Sequence, residues 1–223
     1  EQIRLERRGP GGRLGVIVLN RPKQLNALSH AMILAIAETL GRWRDDDSLE
    51  QVLLVGEGER GLCAGGDVSD IRNSIVHGDA DAVEVTHRFL ADEYRLDAAT
   101  GDYPKPYVAL IDGAAMGGGL GISVHGEVRV VTEKALIAMP ETAIGFFPDI
   151  GSTYFLPRLP VGVGMWLGLT GARIRGTQAV EIGLATHSVA SSSVGDLAAA
   201  IRSGQPLGQA LSSCAAAPRA DAL

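Results

Sequence analysis

Cysteine, aromatic residues and basic charge are all scarce in this chain, and each shortage removes a class of function. Only Cys63 and Cys214 occur among 223 residues, and neither sits in a CxxC or His-rich spacing, so neither a disulfide scaffold nor a zinc site organises the fold. A reducing cytoplasm is the expected compartment, with no metal. Lys and Arg number 20 against 26 Asp and Glu, a formal net charge of -6. The basic residues form no cluster able to neutralise a phosphate backbone, so nucleic acid is not an expected partner. Long apolar runs are missing too. The longest charge-free apolar stretches, 113–124 and 159–169, are rich in glycine and shorter than the ~20 residues a membrane helix requires. The charged N-terminus is unlike a signal sequence, and the chain reads as soluble and untargeted.

Glycine, in contrast, is plentiful: 29 residues, roughly twice ordinary usage. The glycines gather in turns between short apolar runs. Strands are predicted at 14–19, 51–55, 108–111, 128–131, 136–139 and 186–189. Helices are predicted from Ser29, a plausible N-cap, to the acidic run at Asp45, and over 67–77, 79–100, 117–125, 161–169, 177–182 and 196–202. Recurring strand-turn-helix units favour an α/β architecture with function at the strand-to-helix turns. The alanine-rich end, 215–223, is weakly specified and expected to fray or to pack on something else.

Two glycine turns carry the chemical signal, Cys63-Ala64-Gly65-Gly66-Asp67 and Gly113-Ala114-Ala115-Met116-Gly117-Gly118-Gly119-Leu120-Gly121. Each follows an apolar run. The second lacks GxGxxG spacing and a following Lys-Ser or Lys-Thr pair, which argues against a nucleotide cradle. The remaining functional reading is a pair of backbone N–H donors, Gly66 and Gly118, aimed at one carbonyl oxygen, which points to acyl chemistry. A third segment, Met139-Pro140-Glu141-Thr142-Ala143-Ile144-Gly145-Phe146-Phe147-Pro148-Asp149, sets two carboxylates among apolar residues. Either could simply cap a turn or helix; a poorly solvated carboxylate could instead handle protons near neutral pH. Cys63 and His125 have no evident nucleophile or base partner and read as a small buried hydrophobe and a structural or capping histidine. Trp43 and Trp166 are expected in core or interface packing.

Asn20-Arg21-Pro22 with Asn26-Ala27-Leu28, then the two glycine turns, then Pro140-Glu141, together resemble the crotonase (enoyl-CoA hydratase/isomerase) superfamily over residues 3–190. The runs 105–111, 123–126 and 139–149 are most similar to its 3-hydroxyisobutyryl-CoA hydrolase branch. The resemblance implies a crotonase-like spiral of β-β-α units over 1–190 and a helical C-terminal segment over 191–223, shorter than the corresponding region of the family. It implies that Gly66 and Gly118 bind the thioester oxygen and that Ala64, Gly66 and Val68 receive coenzyme A. Coenzyme A is then part of the substrate, with no separate cofactor. Glu141 matches the catalytic carboxylate, Asp149 a second acid near the acyl group, and Glu93 a further substrate-contacting acid. A homo-oligomer, trimer or hexamer, is implied as well.

One departure separates the branches. Hydratases of the superfamily carry a second glutamate shortly after the triple glycine, where this chain has Gly121. Losing one of two acids removes half the apparatus for hydration, whereas thioester hydrolysis needs one base or nucleophile and the oxyanion donors. The expected activity is hydrolysis of a short β-hydroxyacyl-CoA such as 3-hydroxyisobutyryl-CoA, an intermediate of valine degradation. In it Glu141 either activates water or attacks the thioester itself. The alternatives are a hydratase or isomerase in which Glu93 compensates, and a non-catalytic acyl-CoA binding protein.

Overall fold

A computed structural model describes residues 1–78 and 80–214. The chain begins with β1 (Ile3–Arg8), β2 (Leu14–Leu19) and α1 (His30–Arg44). Ser29 Oγ accepts the Met32 N–H at 3.3 Å and starts α1 as anticipated. The helix buries Met32, Ile33, Ile36, Leu40 and Trp43, the stripe its spacing prescribes. Three strand pairs follow: β3 (Gln51–Gly56) with β4 (Gly61–Cys63), β5 (Tyr107–Ile111) with β6 (Ala114–Met116), and β7 (Val128–Val131) with β8 (Leu136–Ala138). Between the first two pairs lie α2 (Val68–His77) and α3 (Ala82–Gly101), and between the second and third lies α4 (Gly118–Val124). The remaining elements are α5 (Ser152–Phe155), α6 (Val163–Thr170), β9 (Ile174–Arg175), α7 (Gly176–Glu181), β10 (His187–Ser188), α8 (Val194–Arg202) and α9 (Leu207–Cys214).

Each pair sends one strand into each of two sheets, which gives the spiral its repeat. The larger sheet has the order β1-β2-β3-β5-β7-β10 and the smaller β4-β6-β8-β9. All pairings are parallel except β1 with β2 and β8 with β9. Strand β2 is buried at every residue, which explains its unbroken apolar sequence. One face of the larger sheet joins α1, α3 and the smaller sheet in the main core. The other packs Val16, Leu53, Val108 and Val130 against Leu197, Ile201 and Leu211 of α8 and α9.

The spiral and most elements agree with the sequence reading, and the differences have physical reasons. Strands β4, β6 and β9 are two or three residues long, too short to show a period. In β1, an edge strand, Ile3 and Leu5 alternate with Arg4 and Glu6, but Arg7 follows on the Ile3–Leu5 face near the exposed end, which leaves too short an alternation to read. Helices α8 and α9 fall in the helical segment expected over 191–223, although no apolar period singles out α9, and the alanine-rich 215–223 lies outside the described residues. Trp43 is core, but Trp166 is 51% exposed on α6 beside exposed Met165 and Leu169, so the core option fails for it. Among the described residues no helix is long and apolar enough to cross a membrane, and no cluster of His, Cys, Asp and Glu could hold a metal.

Candidate active site

The segment between β2 and α1 fixes the first glycine turn. Asn26 is buried with a positive φ of 56°, a conformation asparagine tolerates better than most residues. Its side chain accepts the Arg21 N–H at 2.9 Å and donates to the carbonyls of Glu57 and Gly61. Arg21 in turn donates to Ala27 O and pairs with Asp67 Oδ2 at 2.8 Å, at the start of α2. Leu28 then bridges to the turn through Leu28 N to Gly65 O and Asp67 N to Leu28 O. These bonds leave the Gly66 N–H outside the ladder.

The second turn meets the first. Gly65 and Gly117 adopt φ of 109° and 48°, which only glycine takes without strain. Gly118 begins α4, where backbone N–H groups lack intrahelical partners. A Cβ on Gly118 would stand 3.1 Å from Gly66 N and collide with Glu93 Oε1. A Cβ on Gly117 would stand 2.8 Å from Glu141 Oε1. The two turns and two carboxyls therefore converge on one point.

That point is the floor of a cavity of about 630 Å³. Ala64, Gly66, Val68, Glu93, Gly118, Glu141 and Asp149, the residues named from sequence, all line it. Its walls include Ile71, Phe89, Leu90, Ile144 and Phe146, and Arg72 is the one cation among the described lining residues. Apolar walls raise the pKa values of the acids. Burial pushes Glu93 up to about 8, with repulsion from Asp149 and then Glu141 added. Burial likewise lifts Glu141 to about 7. Asp149 is also raised by burial, though Tyr94 opposes this by donating its hydroxyl to Asp149 Oδ2 at 2.8 Å. Such a set can exchange protons near neutrality beside two unengaged N–H donors.

The model of the enoyl-CoA hydratase/isomerase family matches residues 14–222. The chain belongs to that family. It is 50% identical over 186 residues, 83% of its length, to a Xenopus tropicalis protein named 3-hydroxyisobutyryl-CoA hydrolase, mitochondrial, of which the match covers 47%. The chain spans about half the length of the curated relatives it matches. Among solved structures, the one titled carnitinyl-CoA dehydratase from Mycobacterium thermoresistibile superposes with a TM-score of 0.91 at 44% identity, covering 99% of this chain and 62% of that one. The one titled enoyl-CoA hydratase from Rhodobacter sphaeroides 2.4.1 gives 0.87 at 38% identity, with 98% and 62% covered. The architecture is thus the crotonase fold.

Within this family member the capping alternatives for the two loop acids do not hold. The short helix α5 has Gly151 at its N-cap and no side-chain cap, and Pro140 precedes the Glu141 turn without one. Cys63 is buried with its thiol pushed up to about 12, chiefly by desolvation, and His125 caps α4 and bonds to Ile150 O at 2.8 Å. Both behave structurally. The His125 bond also secures Ile150, which has a φ of 47° beside Asp149, and so helps aim that acid. Sequence reasoning missed Tyr94 and the buried Asp97. Their shared signal is position: Glu93, Tyr94 and Asp97 are acidic or hydroxylic residues within little more than one turn of an otherwise ordinary helix.

Proposed function

We propose that this protein hydrolyses a short β-hydroxyacyl-CoA thioester, with 3-hydroxyisobutyryl-CoA as the first candidate. The observation that carries the reading is the meeting of Glu141 with the two glycine turns in a cavity where position 121 offers no second carboxylate. The Gly66 and Gly118 N–H groups bind the thioester oxygen and stabilise the charge that develops on it. Glu141 takes a proton from water as the water oxygen bonds to the carbonyl carbon. The carbon–sulfur bond then breaks and Glu141 returns the proton to sulfur. Asp149, held by Tyr94, accepts from the substrate hydroxyl, and neutral Glu93 donates to the acyl group. Ala64, Gly66 and Val68 border the coenzyme A moiety, and Arg72 lies where a phosphate could pair with it. Coenzyme A arrives with the substrate, so no separate cofactor takes part. The exposed Met165, Trp166 and Leu169 face supports self-association as a trimer or hexamer, to be checked by solution mass.

Free thiol release from 3-hydroxyisobutyryl-CoA, with no loss of the enoyl absorbance of crotonyl-CoA, is the expected result. Clear hydration without thiol release from any hydroxyacyl-CoA would overturn it. The second reading is a hydratase or dehydratase in which Glu93 is the partner acid. It is favoured by the Glu93 carboxyl against Gly118 and by the titles of the two similar structures. Under that reading Glu93→Gln abolishes hydration.

A further inference from the structure

Helices α3 and α4 run alongside each other with three contacts in step. Glu93 lies against Gly118, Asp97 against Gly121, and Gly101 against His125. The middle contact is the unusual one. Asp97 is 3% exposed, and both its oxygens would stand 2.6 Å from a Cβ on Gly121. Its carboxyl therefore takes the space that a side chain at 121 would need. Glu93 Oε1, Asp97 Oδ1 and Oδ2, Tyr107 Oη and Glu141 Oε2 are the buried side-chain polar atoms without a hydrogen-bond partner among the described residues. The first four come from residues on α3 and the strand β5.

A lone apolar residue at 97 would avoid the penalty of burying such groups, so their grouping demands an account. Glu93 and Asp97 are four residues apart and share a helix face. Tyr107 is close enough for the Asp97 charge to raise its pKa. Tyr107 supplies one donor and the Glu93 oxygen one acceptor. No direct hydrogen bond joins Asp97 to either group, so the link runs through internal water; at 3% exposure and with no ion-pair partner among the described residues, Asp97 is held as the neutral acid, accepting on the Tyr107 side and donating on the Glu93 side. As a carboxylate it would only accept, and Glu93 would face a second charge.

We propose that Asp97 is a positioning residue for Glu93, a neutral carboxyl set in the gap left by Gly121 that joins the Tyr107 hydroxyl to Glu93 and steadies Glu93 at the cavity floor. This rests on the reading that Glu93 faces the acyl group. The charges acting on Asp97 are consistent: desolvation raises it, followed by Glu93 and Asp149. Tyr94 and Tyr107 are its neutral titratable neighbours. On other elements packed against α3, His30 is paired with Asp92 and His125 with Ile150 O, so neither neutralises it.

Infrared difference spectra in the region of protonated carboxylic acids, taken on the parent, Asp97→Asn and Glu93→Gln at pH 7, test the protonation without any substrate. Each variant should lose a distinct neutral-acid band. If Asp97→Asn loses none, Asp97 is ionised and the proposal falls, whatever reaction the protein performs. Kinetics on whichever acyl-CoA turns over then test the positioning. Asp97→Asn keeps one acceptor and one donor and should retain the parent pH profile. Asp97→Leu and Tyr107→Phe should lower kcat on the order of 10-fold with little change in KM. Both should move the alkaline limb upward: Asp97→Leu removes the donor to ionised Glu93, and Tyr107→Phe leaves Asp97 a weaker and less oriented donor. An unchanged limb in Tyr107→Phe, or Asp97→Asn as damaged as Tyr107→Phe, overturns the proposal even if Asp97→Leu fails to fold.

Discussion

Tyr94 donates its hydroxyl to Asp149 Oδ2 at 2.8 Å, across 55 residues of sequence. The bond ties the long helix α3 to the loop after Glu141 and opposes the rise that burial imposes on Asp149. Tyr94→Phe removes a donor from a charged acceptor, a bond worth ~1.5–3 kcal/mol, so kcat/KM should fall by roughly 10-fold or more. Asp149 should then titrate at higher pH, shifting the acidic limb of the rate profile upward. An acidic limb that stays in place would show that Asp149 is not needed in its ionised form.

Glu141→Gln should lower kcat by ~10²–10⁴-fold while coenzyme A binding persists. A base must be ionised to act, so the parent rate should rise with pH through about 7, where burial has placed Glu141. It should fall again through about 8 as Glu93 loses its proton. The acids interact, so the two limbs belong to the set rather than to single residues. Stopped thiol assays across pH 5 to 9 measure this, and a residual Gln variant rate that still rises through neutrality would exclude Glu141 as the base.

The glycine turns were readable because their chemistry is local. Gly65, Gly66, Gly117 and Gly118 announce close backbone approach whatever the surroundings. Glu141 and Asp149 stood out as acids among isoleucine and phenylalanine. Tyr94 and Asp97 did not, since a tyrosine and an aspartate on a charged helix look like surface residues until the helix is laid across α4. Likewise β6, three residues inside a glycine turn, exists only because β4 and β8 flank it. What the chain conceals is the cross-chain partner, which no spacing encodes.

Asn26 shows the same point from the side of stability. Its three side-chain bonds and positive φ hold the chain entering the first glycine turn. Asn26→Ala leaves the Glu57 carbonyl and the buried Gly61 carbonyl without that donor and adds strain, so a loss of about 2–4 kcal/mol is expected. Urea unfolding checks it. Turnover should fall together with stability, because Leu28 and the Arg21–Asp67 pair position Gly66; unaltered turnover in the folded variant would mean that the turn holds itself.

Glu93 should make the protein less stable as pH rises. Its carboxyl titrates near 8 when folded but near ~4.3 in an unfolded chain. Between those values the folded state holds more protons than the unfolded one, so unfolding free energy declines with increasing pH and levels off above about 8. For a residue only 3% exposed, the decline attributable to it is up to ~5 kcal/mol. Glu93→Gln has no proton to lose, and its melting temperature should fall less than the parent's between pH 5 and pH 8.5, the remaining decline coming from Glu141, Asp149 and Asp97. Equal declines in both proteins would mean that Glu93 is already ionised in the folded state, and would remove the neutral donor on which the proposed contact with the acyl group depends.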